Sequence, residues 1–364
     1  SHDEMIALAS TIGYPLLVKA VAGGGGKGMR LVSEPSAITT AITTARSEAG
    51  SAFGDDAVYL ERQLQFPRHI EIQILADEYG TVVPFVEREC SIQRRYQKLV
   101  EESPASGMSL QRRTAMADAA VSIAKAVDYT NAGTVEFLVD ESGDFYFLEM
   151  NTRLQVEHGV TEAVTGVDLV RWQLRIAQGE RLDITAENTL KPTGHAIECR
   201  VYAEDPDASF LLSPGRIRGL QLPSGPGIRE DSCAVLGGEV PVFYDPLISK
   251  VVAWGAHRTH AIARMRRAMD EFRVQGIKTT IPFFQWLIRS RAFAEGAIDT
   301  TFVDAILAER DGRSFTDPSS EAEEVAVIGV AAHAFLESVG GKTTEPLETS
   351  SPWRRAARAA ALRT

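Results

Sequence analysis

Apolar and polar residues alternate along this chain with two periods, and the switches between them mark its elements. Ser1-His2-Asp3-Glu4 reads as a capping box, with Ser1 at the cap and Glu4 reaching back. A helix is predicted from there to Gly13, with Pro15 as its stop. The apolar run Leu16–Val21 predicts a strand, the alternation Met29-Arg30-Leu31-Val32 a second one, and residues 34–49 a helix. Strands are expected at Val58–Gln63, His69–Ala76 and Val82–Arg88, with a turn at Asp77-Glu78-Tyr79-Gly80. Apolar residues three and four apart predict an amphipathic helix over Ser109–Val127. The clearest hairpin joins Thr134–Val139 to Phe145–Met150 through Asp140–Asp144, and another helix is expected near Leu169–Ala177. From Gly194 the texture changes to short strands punctuated by Pro and Gly. A basic helix at about Thr259–Phe272 and a shorter one near Pro282–Arg289 follow. Beyond about Asp304 the chain is rich in Ser, Thr, Glu and Ala and closes on Trp353-Arg354-Arg355-Ala356-Ala357-Arg358, which reads as an interdomain or docking segment. No internal repeat is visible. The antiparallel hairpins mixed with helices predict an α+β fold.

Composition narrows the class. A chain of 364 residues suggests two or three domains with a sizeable core, and 44% apolar with 24% charged residues is ordinary for a globular protein. The 38 basic residues against 49 acids leave a net charge of −11, which argues against a nucleic-acid coat or a binder of anionic membranes. Cys90, Cys199 and Cys233 lie too far apart for a disulfide framework or a zinc knuckle, so a reduced, cytoplasmic chain is expected. The longest apolar stretch, Val325–Leu336, is interrupted by His333 and too short to span a bilayer. Ser1 is not an initiator Met and no signal pattern follows, so upstream material is expected to have been removed.

Gly23, Gly25 and Gly28 form a formal G-x-G-x-x-G match, but a dinucleotide site needs a helix directly after the loop, and here Met29–Val32 continues as a strand. A Walker loop fails as well, because Val21 and Gly28 stand where Gly and Ser or Thr are required. What remains is a glycine-rich hairpin tip whose bare N–H groups can fold over phosphates, with charge from Lys19 and Lys27. A flexible surface hairpin would read the same way.

The hairpin after residue 130 carries an acid in each strand. If partner numbers keep a constant sum, Val139 opposes Tyr146 and Glu136 opposes Glu149 on one face, with Cβ atoms roughly 4.5–5.5 Å apart. Two opposed carboxylates among apolar neighbours call for a cation, and Asn151 projects from the same face. Oxygen donors of this kind suit Mg²⁺ better than zinc or copper. Ordinary solvent-facing glutamates are the alternative, and a bulge near the turn would suffice to break the register. Magnesium beside a phosphate loop points to ATP. If the run Asn151–His158 stays extended, Arg153, Gln155 and Glu157 share the face of Asn151, where they could hold a small anion and move one proton. His158 then faces away and reads as structural.

With these residues in hand, residues 1 to about 303 resemble a biotin carboxylase, a member of the ATP-grasp superfamily. The resemblance rests on Lys19 with Gly23–Met29, Arg68-His69-Ile70-Glu71-Ile72-Gln73, Gln93-Arg94-Arg95 with Gln97-Lys98, Glu136, the run Glu149–His158, Glu198-Cys199-Arg200, and Ala203-Glu204-Asp205-Pro206. It implies an ATP-grasp fold with a glycine-rich lid and an antiparallel core, followed by a C-terminal subdomain. The implied reaction joins ATP and bicarbonate into carboxyphosphate and carboxylates biotin held on a separate carrier. It implies that Lys19, Gly23, Gly24, Gly25, Gly26, Lys27, Gly28 and Met29 hold phosphates, and that Glu61, Arg62 and Leu64 lie in the segment clasping adenine. His69, Gln93 and Leu138 are implied as further nucleotide contacts. Glu136, Glu149 and Asn151 match ligands of Mg²⁺ or Mn²⁺. Lys98, Arg153, Gln155 and Val156 match a bicarbonate pocket, Glu157 the base, and Arg200 the group that stabilises the biotin enolate.

Three departures from that pattern stand out. Tyr96 occupies a position where His is usual, Gly159 follows His158 where Pro is common, and a domain ahead of residue 1 is expected to be missing. No Met-Lys-Met biotinylation site occurs. The expected divisions are 1–63 for the lid, 64–193 for the core with the metal and bicarbonate sites, 194–303 for the C-terminal domain, and 304–364 for the tail. The implied partners are a biotin carboxyl carrier domain or protein, a carboxyltransferase subunit of an acyl-CoA carboxylase, and a second copy in the complete protein, with no nucleic acid and no membrane. Two other readings remain open: another ATP-grasp ligase, or a nucleotide-binding fragment without useful catalysis.

Overall fold

The computed structural model of the chain describes residues 2–22, 28–316 and 320–339. It divides into two compact units, Ser1–Phe315 and Thr316–Thr364. In the first unit, helix α1 (His2–Ile12) leads into strand β1 (Leu16–Ala20), which lies between β2 (Met29–Val32) and β3 (Val58–Arg62) in an antiparallel three-stranded sheet. Helix α2 (Ile38–Phe53) follows a short 3₁₀ turn at Pro35–Ala37 and buries Ile38, Ile42, Ala45 and Ala49, one helical stripe, against Leu16, Val18 and Val32. It runs past the expected end at residue 49 and stops at Gly54, whose φ of 74° and N–H to the Gly50 carbonyl close the last turn. The capping contribution of Ser1 lies outside the described residues.

A larger antiparallel sheet of nine strands forms the rest of the frame. Its members are β4 (Arg68–Ala76), β5 (Val82–Pro84), β6 (Arg88–Arg94), β7 (Gln97–Ser103), β8 (Asn131–Val139), β9 (Phe145–Asn151), β10 (His195–Tyr202), β11 (Ile228–Ser232) and β12 (Leu247–Gly255). They lie in the order β11-β12-β10-β7-β6-β4-β8-β9, with β5 on β4 beside that path. Strands β7 and β10 pair directly, so the sheet is continuous across residues 193 and 194.

Period-two alternation decides where chemistry can sit. Ile70, Ile72 and Ile74 of β4 and Val135, Phe137 and Val139 of β8 turn to one face, where Met116, Ala120 and Ala124 of α3 (Leu110–Ala126) cover them. His69, Glu71 and Gln73, with Thr134 and Glu136, are therefore left on the other face. Ser109 Oγ accepts from Arg112 N at 3.2 Å to start α3. Helices α4 (His158–Thr165), α5 (Leu169–Ala177) and α6 (Arg258–Glu271) pack on the sheet, the last over Val201, Val251 and Ala253.

Two sequence expectations change here. The strand expected over Val82–Arg88 is two elements, because Pro84 has no N–H to continue the ladder and Arg88 opens a new strand. The β6–β7 hairpin was not anticipated: its turn uses Arg95 and Tyr96 at φ of 50° and 66°, a conformation that neither residue type advertises. Beyond Asp304, the described tail is helical at Phe302–Arg310 and, in the second unit, at Ser320–Val339. Trp353–Arg358 lie outside the described residues. No described helix is long and apolar enough to cross a membrane.

Candidate functional site

Glu136 and Glu149 are Cα partners across β8 and β9, as expected, but by a different route. The hairpin closes one residue tighter than the constant-sum argument required: Val139 opposes Phe145 and Leu138 opposes Tyr146. A bulge between Glu136 and Phe137 then restores the register in which Glu136 faces Glu149 and Thr134 faces Asn151. The expected Val139–Tyr146 pair does not form. Asn151 Nδ2 donates to Glu136 Oε1 at 3.0 Å and to Glu149 Oε1 at 3.4 Å, so two carboxylates and one amide converge at the end of the hairpin.

A cation that offsets Glu136 is part of the protein. Lys98 on β7 places Nζ 2.6 Å from Glu71 Oε2, 2.9 Å from Glu136 Oε1 and 2.6 Å from Glu157 Oε1. Glu136 Oε2 lies 3.0 Å from His69 Nε2, and Gln155 Nε2 donates to Glu136 Oε1 at 2.8 Å. Lys98, His69, Asn151 and Gln155 thus already meet Glu136, while Glu149 is reached by the Asn151 amide. Although burial pushes the Glu136 carboxyl up, the His69 hydrogen bond and the Lys98 charge hold it well below the usual range.

A second cation sits beneath this group. Arg88 is fully buried, pairs with Glu71, and donates to Gln73 Oε1 and Thr161 Oγ1 at 2.9 Å, Thr134 Oγ1 at 3.1 Å and Gln155 Oε1 at 3.2 Å. Every guanidinium donor direction is used, which fixes β4, β6, β8 and the residue-155 turn to one another. Burial pushes Glu71 up, but Arg88 and Lys98 outweigh it and keep the carboxyl ionised.

The run after Asn151 does not stay extended. It bends at residue 153, turns at 156 and 157, and hands Glu157 to α4 as its cap residue. The shared face arises from this turn instead. Gln155 and Glu157 are buried, while Arg153 is exposed and reaches back to Asn151 Oδ1 at 3.2 Å. Glu157 makes no side-chain cap hydrogen bond, and its other oxygen accepts from Arg200 Nη2 at 2.8 Å. Burial and Glu71 push the Glu157 carboxyl up; Lys98, Arg200 and Arg88 hold it below its ordinary value. The result is an ionised carboxylate clamped between two cations. Val156 contributes its carbonyl, which accepts from Lys250 Nζ at 2.7 Å and pins the turn. His158 Nδ1 meets the Gln155 carbonyl at 2.8 Å, in keeping with a structural role.

The three-stranded sheet supplies the remaining candidates. Lys19 pairs with Glu61 across β1 and β3; Met29 opposes Lys19 on β2; Arg62 is exposed, and Leu64 follows β3 half-buried. Gly28, at φ 75°, returns the chain to Ala20, and a Cβ there would lie 3.0 Å from the Ala20 Cβ. Gly23, Gly24, Gly25, Gly26 and Lys27 lie outside the described residues. Burial, then the Glu61 and Glu149 charges, push the Tyr59 phenol up, so β3 lies within electrostatic reach of the acidic hairpin. Gln93 is buried and meets His69 Nδ1 at 3.3 Å, and Leu138 is the Cα partner of His69. Tyr96 stands exposed at the β6–β7 turn.

Sequence reasoning missed Glu71, Arg88, Glu101, Glu198 and Lys250. Glu71 was readable from the alternation of His69, Glu71 and Gln73. Arg88 was not, because Glu87-Arg88-Glu89 looks like a solvated charge run and only the nine-stranded sheet buries it.

Comparison with known proteins agrees with this geometry. Residues 1–185 match the family model "Carbamoyl-phosphate synthase L chain, ATP binding domain", and residues 198–305 match "Biotin carboxylase C-terminal domain". A biotin carboxylase of Nostoc sp. is 52% identical over 303 residues, covering 83% of this chain and 68% of that protein. The mitochondrial propionyl-CoA carboxylase alpha chain of Sus scrofa is 44% identical over 339 residues, covering 92% of this chain and 46% of that one. The solved biotin carboxylase domain dimer of Hydrogenobacter thermophilus 2-oxoglutarate carboxylase, in complex with MgADP, ADP and bicarbonate, superposes with a TM-score of 0.82 at 42% identity. That match covers 88% of this chain and 69% of the other. The chain thus spans between about half and about two thirds of these three proteins.

Proposed function

The chain belongs to the biotin carboxylase family, and from that premise we propose that it is the ATP-grasp and C-terminal part of an enzyme that carboxylates biotin with bicarbonate and ATP. The observation that carries the reading is Glu157, an ionised carboxylate held between Lys98 and Arg200 and linked through Lys98 to the acidic hairpin. A small oxyanion entering beside Glu157 would meet both cations and a base with its proton site open.

The roles divide by position. Lys98, Arg153, Gln155 and Val156 line the anion side, Glu157 takes the bicarbonate proton, and Arg200 faces the ring to be carboxylated. Lys19, Gly23–Met29, Glu61, Arg62, Leu64, His69, Gln93 and Leu138 hold the nucleotide. The donor set of Glu136, Glu149 and Asn151 fits a hard divalent cation, Mg²⁺ or Mn²⁺, because all three side chains carry oxygen and Asn151 lies within hydrogen-bond reach of both carboxylates. Such an ion would supply charge neutralisation for the transferring phosphoryl group. Exclusion of water matters because a carboxylic–phosphoric anhydride hydrolyses readily, which gives the glycine loop a reason to close.

The divisions 1–63, 64–193, 194–303 and 304–364 are proposed as lid, core, C-terminal domain and linker. Biotin arrives on a carrier domain or protein, a carboxyltransferase subunit takes the product, the complete protein pairs with a second copy, and the setting is the cytoplasm. Three free cysteines and an acidic charge balance support that setting. The test is ADP release by the full-length parent with ATP, Mg²⁺, bicarbonate and free biotin. Biotin-stimulated turnover is expected, and its absence would count against the reading. A scan of other acceptors would expose a different ATP-grasp ligase.

A further inference from the structure

Beside Arg200, two acids are paired inside the sheet. Glu101 of β7 and Glu198 of β10 are Cα partners, and both are fully buried. Arg200 Nε lies 2.6 Å from Glu101 Oε1 while its Nη2 donates to Glu157. Glu198 has no such partner. Neither its oxygens nor those of Glu101 have a hydrogen-bond partner of good geometry among the described residues, but Glu101 has the Arg200 ion pair, whereas no described cation comes within ion-pair distance of Glu198. The nearest ammonium, Lys250, is committed to the Val156 carbonyl at 2.7 Å and to Asp231 at 3.5 Å. Glu198 Oε2 instead packs against Gly159 in the first turn of α4, where a Cβ would approach it to 3.1 Å.

Two ionised carboxylates cannot share this space with one guanidinium that already serves Glu157. We propose that Glu101 and Glu198 hold a single proton between them, resting on Glu198, so that the ionised Glu101 acts as a positioning residue that aims Arg200 at Glu157. The inference deepens the proposed function and rests on it for the role of Arg200, and that reading gives neither acid a substrate contact. The groups that face Glu101 are in keeping with this. From β10 come Arg200 and Glu198, from the turn before α4 Glu157, from its own strand Lys98, and from β4 Glu71. Lys250 of β12 acts on Glu198, and the thiols Cys90 and Cys199 and the Tyr202 phenol nearby are all pushed up and neutral. Burial first, then Glu157 and Glu71 against the pull of Arg200 and Lys98, pushes Glu101 up to about 7. Burial and then Glu101 push Glu198 up to about 8. Loss of the Glu101 charge on the acid side of neutrality would free Arg200 Nε. The biotin-dependent step should therefore fail there while ATP binding persists.

The experiment uses the full-length parent enzyme and two readouts. Infrared titration of the nucleotide-free protein should show the C=O stretch of a buried protonated carboxyl at neutral pH, and Glu198→Gln should remove it. Because the amide mimics the protonated acid already resting there, Glu198→Gln should leave the acid limb of biotin-stimulated turnover where the wild type has it. Glu101→Gln should lower biotin-dependent kcat about 10-fold with ATP affinity unchanged. A wild-type spectrum without that band, a band that survives Glu198→Gln, or an acid limb that Glu198→Gln displaces by about a pH unit or more would each overturn the proposal. If Glu198→Gln does not fold, the wild-type band alone decides. Wild-type enzyme that shows the band but no biotin-stimulated turnover would sink the proposed function and leave the one-proton pair standing.

Discussion

Replacing Lys98 with Met removes the one ammonium that touches Glu71, Glu136 and Glu157 together, at 2.6, 2.9 and 2.6 Å. These acids are 0%, 4% and 2% exposed, so water cannot take the place of the lost charge. Breaking a buried ion pair from one side costs about 3–5 kcal/mol. Each acid keeps at least one partner here, Arg88 for Glu71, His69, Asn151 and Gln155 for Glu136, and Arg200 for Glu157, which argues for the lower end, about 3 kcal/mol. The loss must also depend on pH. In the wild type all three folded pKa values are lowered, so their stabilisation is present above the ordinary carboxylate value of 4.5 and fades only as pH falls through the lowered values. In the variant at least one folded value rises above the unfolded one, and the native state then binds a proton that the unfolded state does not. Destabilisation therefore grows by about 1.4 kcal/mol per pH unit as pH rises toward the new value, then levels off. Urea midpoints of wild type and Lys98→Met, taken across the mildly acidic to mildly alkaline range, measure both quantities. A loss below about 1 kcal/mol, or one of equal size at every pH, would refute the claim that Lys98 is what keeps the three carboxylates ionised.

Three further outcomes follow from the same geometry. Glu157→Gln keeps the shape and removes the base, so turnover should fall about 10²–10⁴-fold with ATP affinity nearly intact in a binding titration; collapse of ATP affinity would move Glu157 to the nucleotide. Arg200→Ala should slow biotin carboxylation more than biotin-independent ATP cleavage, with folding checked by circular dichroism because Glu101 and Glu157 lose their shared cation; equal loss of both activities would place Arg200 at the phosphates. Glu149→Gln should weaken Mg²⁺-dependent ATP binding in calorimetry while leaving the metal-free protein as stable as wild type or more so; unchanged binding with and without chelator would remove Glu149 from the metal set.

How far the sequence disclosed this site depended on whether a side chain's face followed from local spacing. His69, Glu71 and Gln73 against Ile70, Ile72 and Ile74 is such a case, and so is the strand after the glycine loop, which ruled out a helix at the phosphates. The Glu136–Glu149 pairing was anticipated through a constant sum that the structure does not keep: a tighter turn and a bulge cancel, and neither leaves a local signature. Lys98 and Glu157 were named by resemblance, but their meeting requires β7, β6, β4 and β8 to lie side by side, which no short window encodes. Arg88 shows the limit most sharply. Between two glutamates it has the look of a surface residue, and only the placement of β6 in mid-sheet makes it a fully buried charge.

The clamp on Glu157 carries a consequence for the proposed chemistry. A carboxylate lowered by Lys98, Arg200 and Arg88 is always in the basic form near neutrality, yet a lowered pKa makes it a weak base. The two requirements are reconciled by who holds it down. Lys98 and Arg200 are also the cations an incoming bicarbonate would seek, and an ammonium and a guanidinium shared with a second anion stabilise Glu157 less. On the proposed roles, arrival of bicarbonate would raise the basicity of Glu157, while the same two cations would stabilise the doubly charged oxyanion left behind. Arg88 does not take part in that exchange, because its donors are spent on Glu71, Gln73, Thr134, Gln155 and Thr161. On the proposed roles it would hold the frame still while Lys98 and Arg200, which meet at Glu157, change partners.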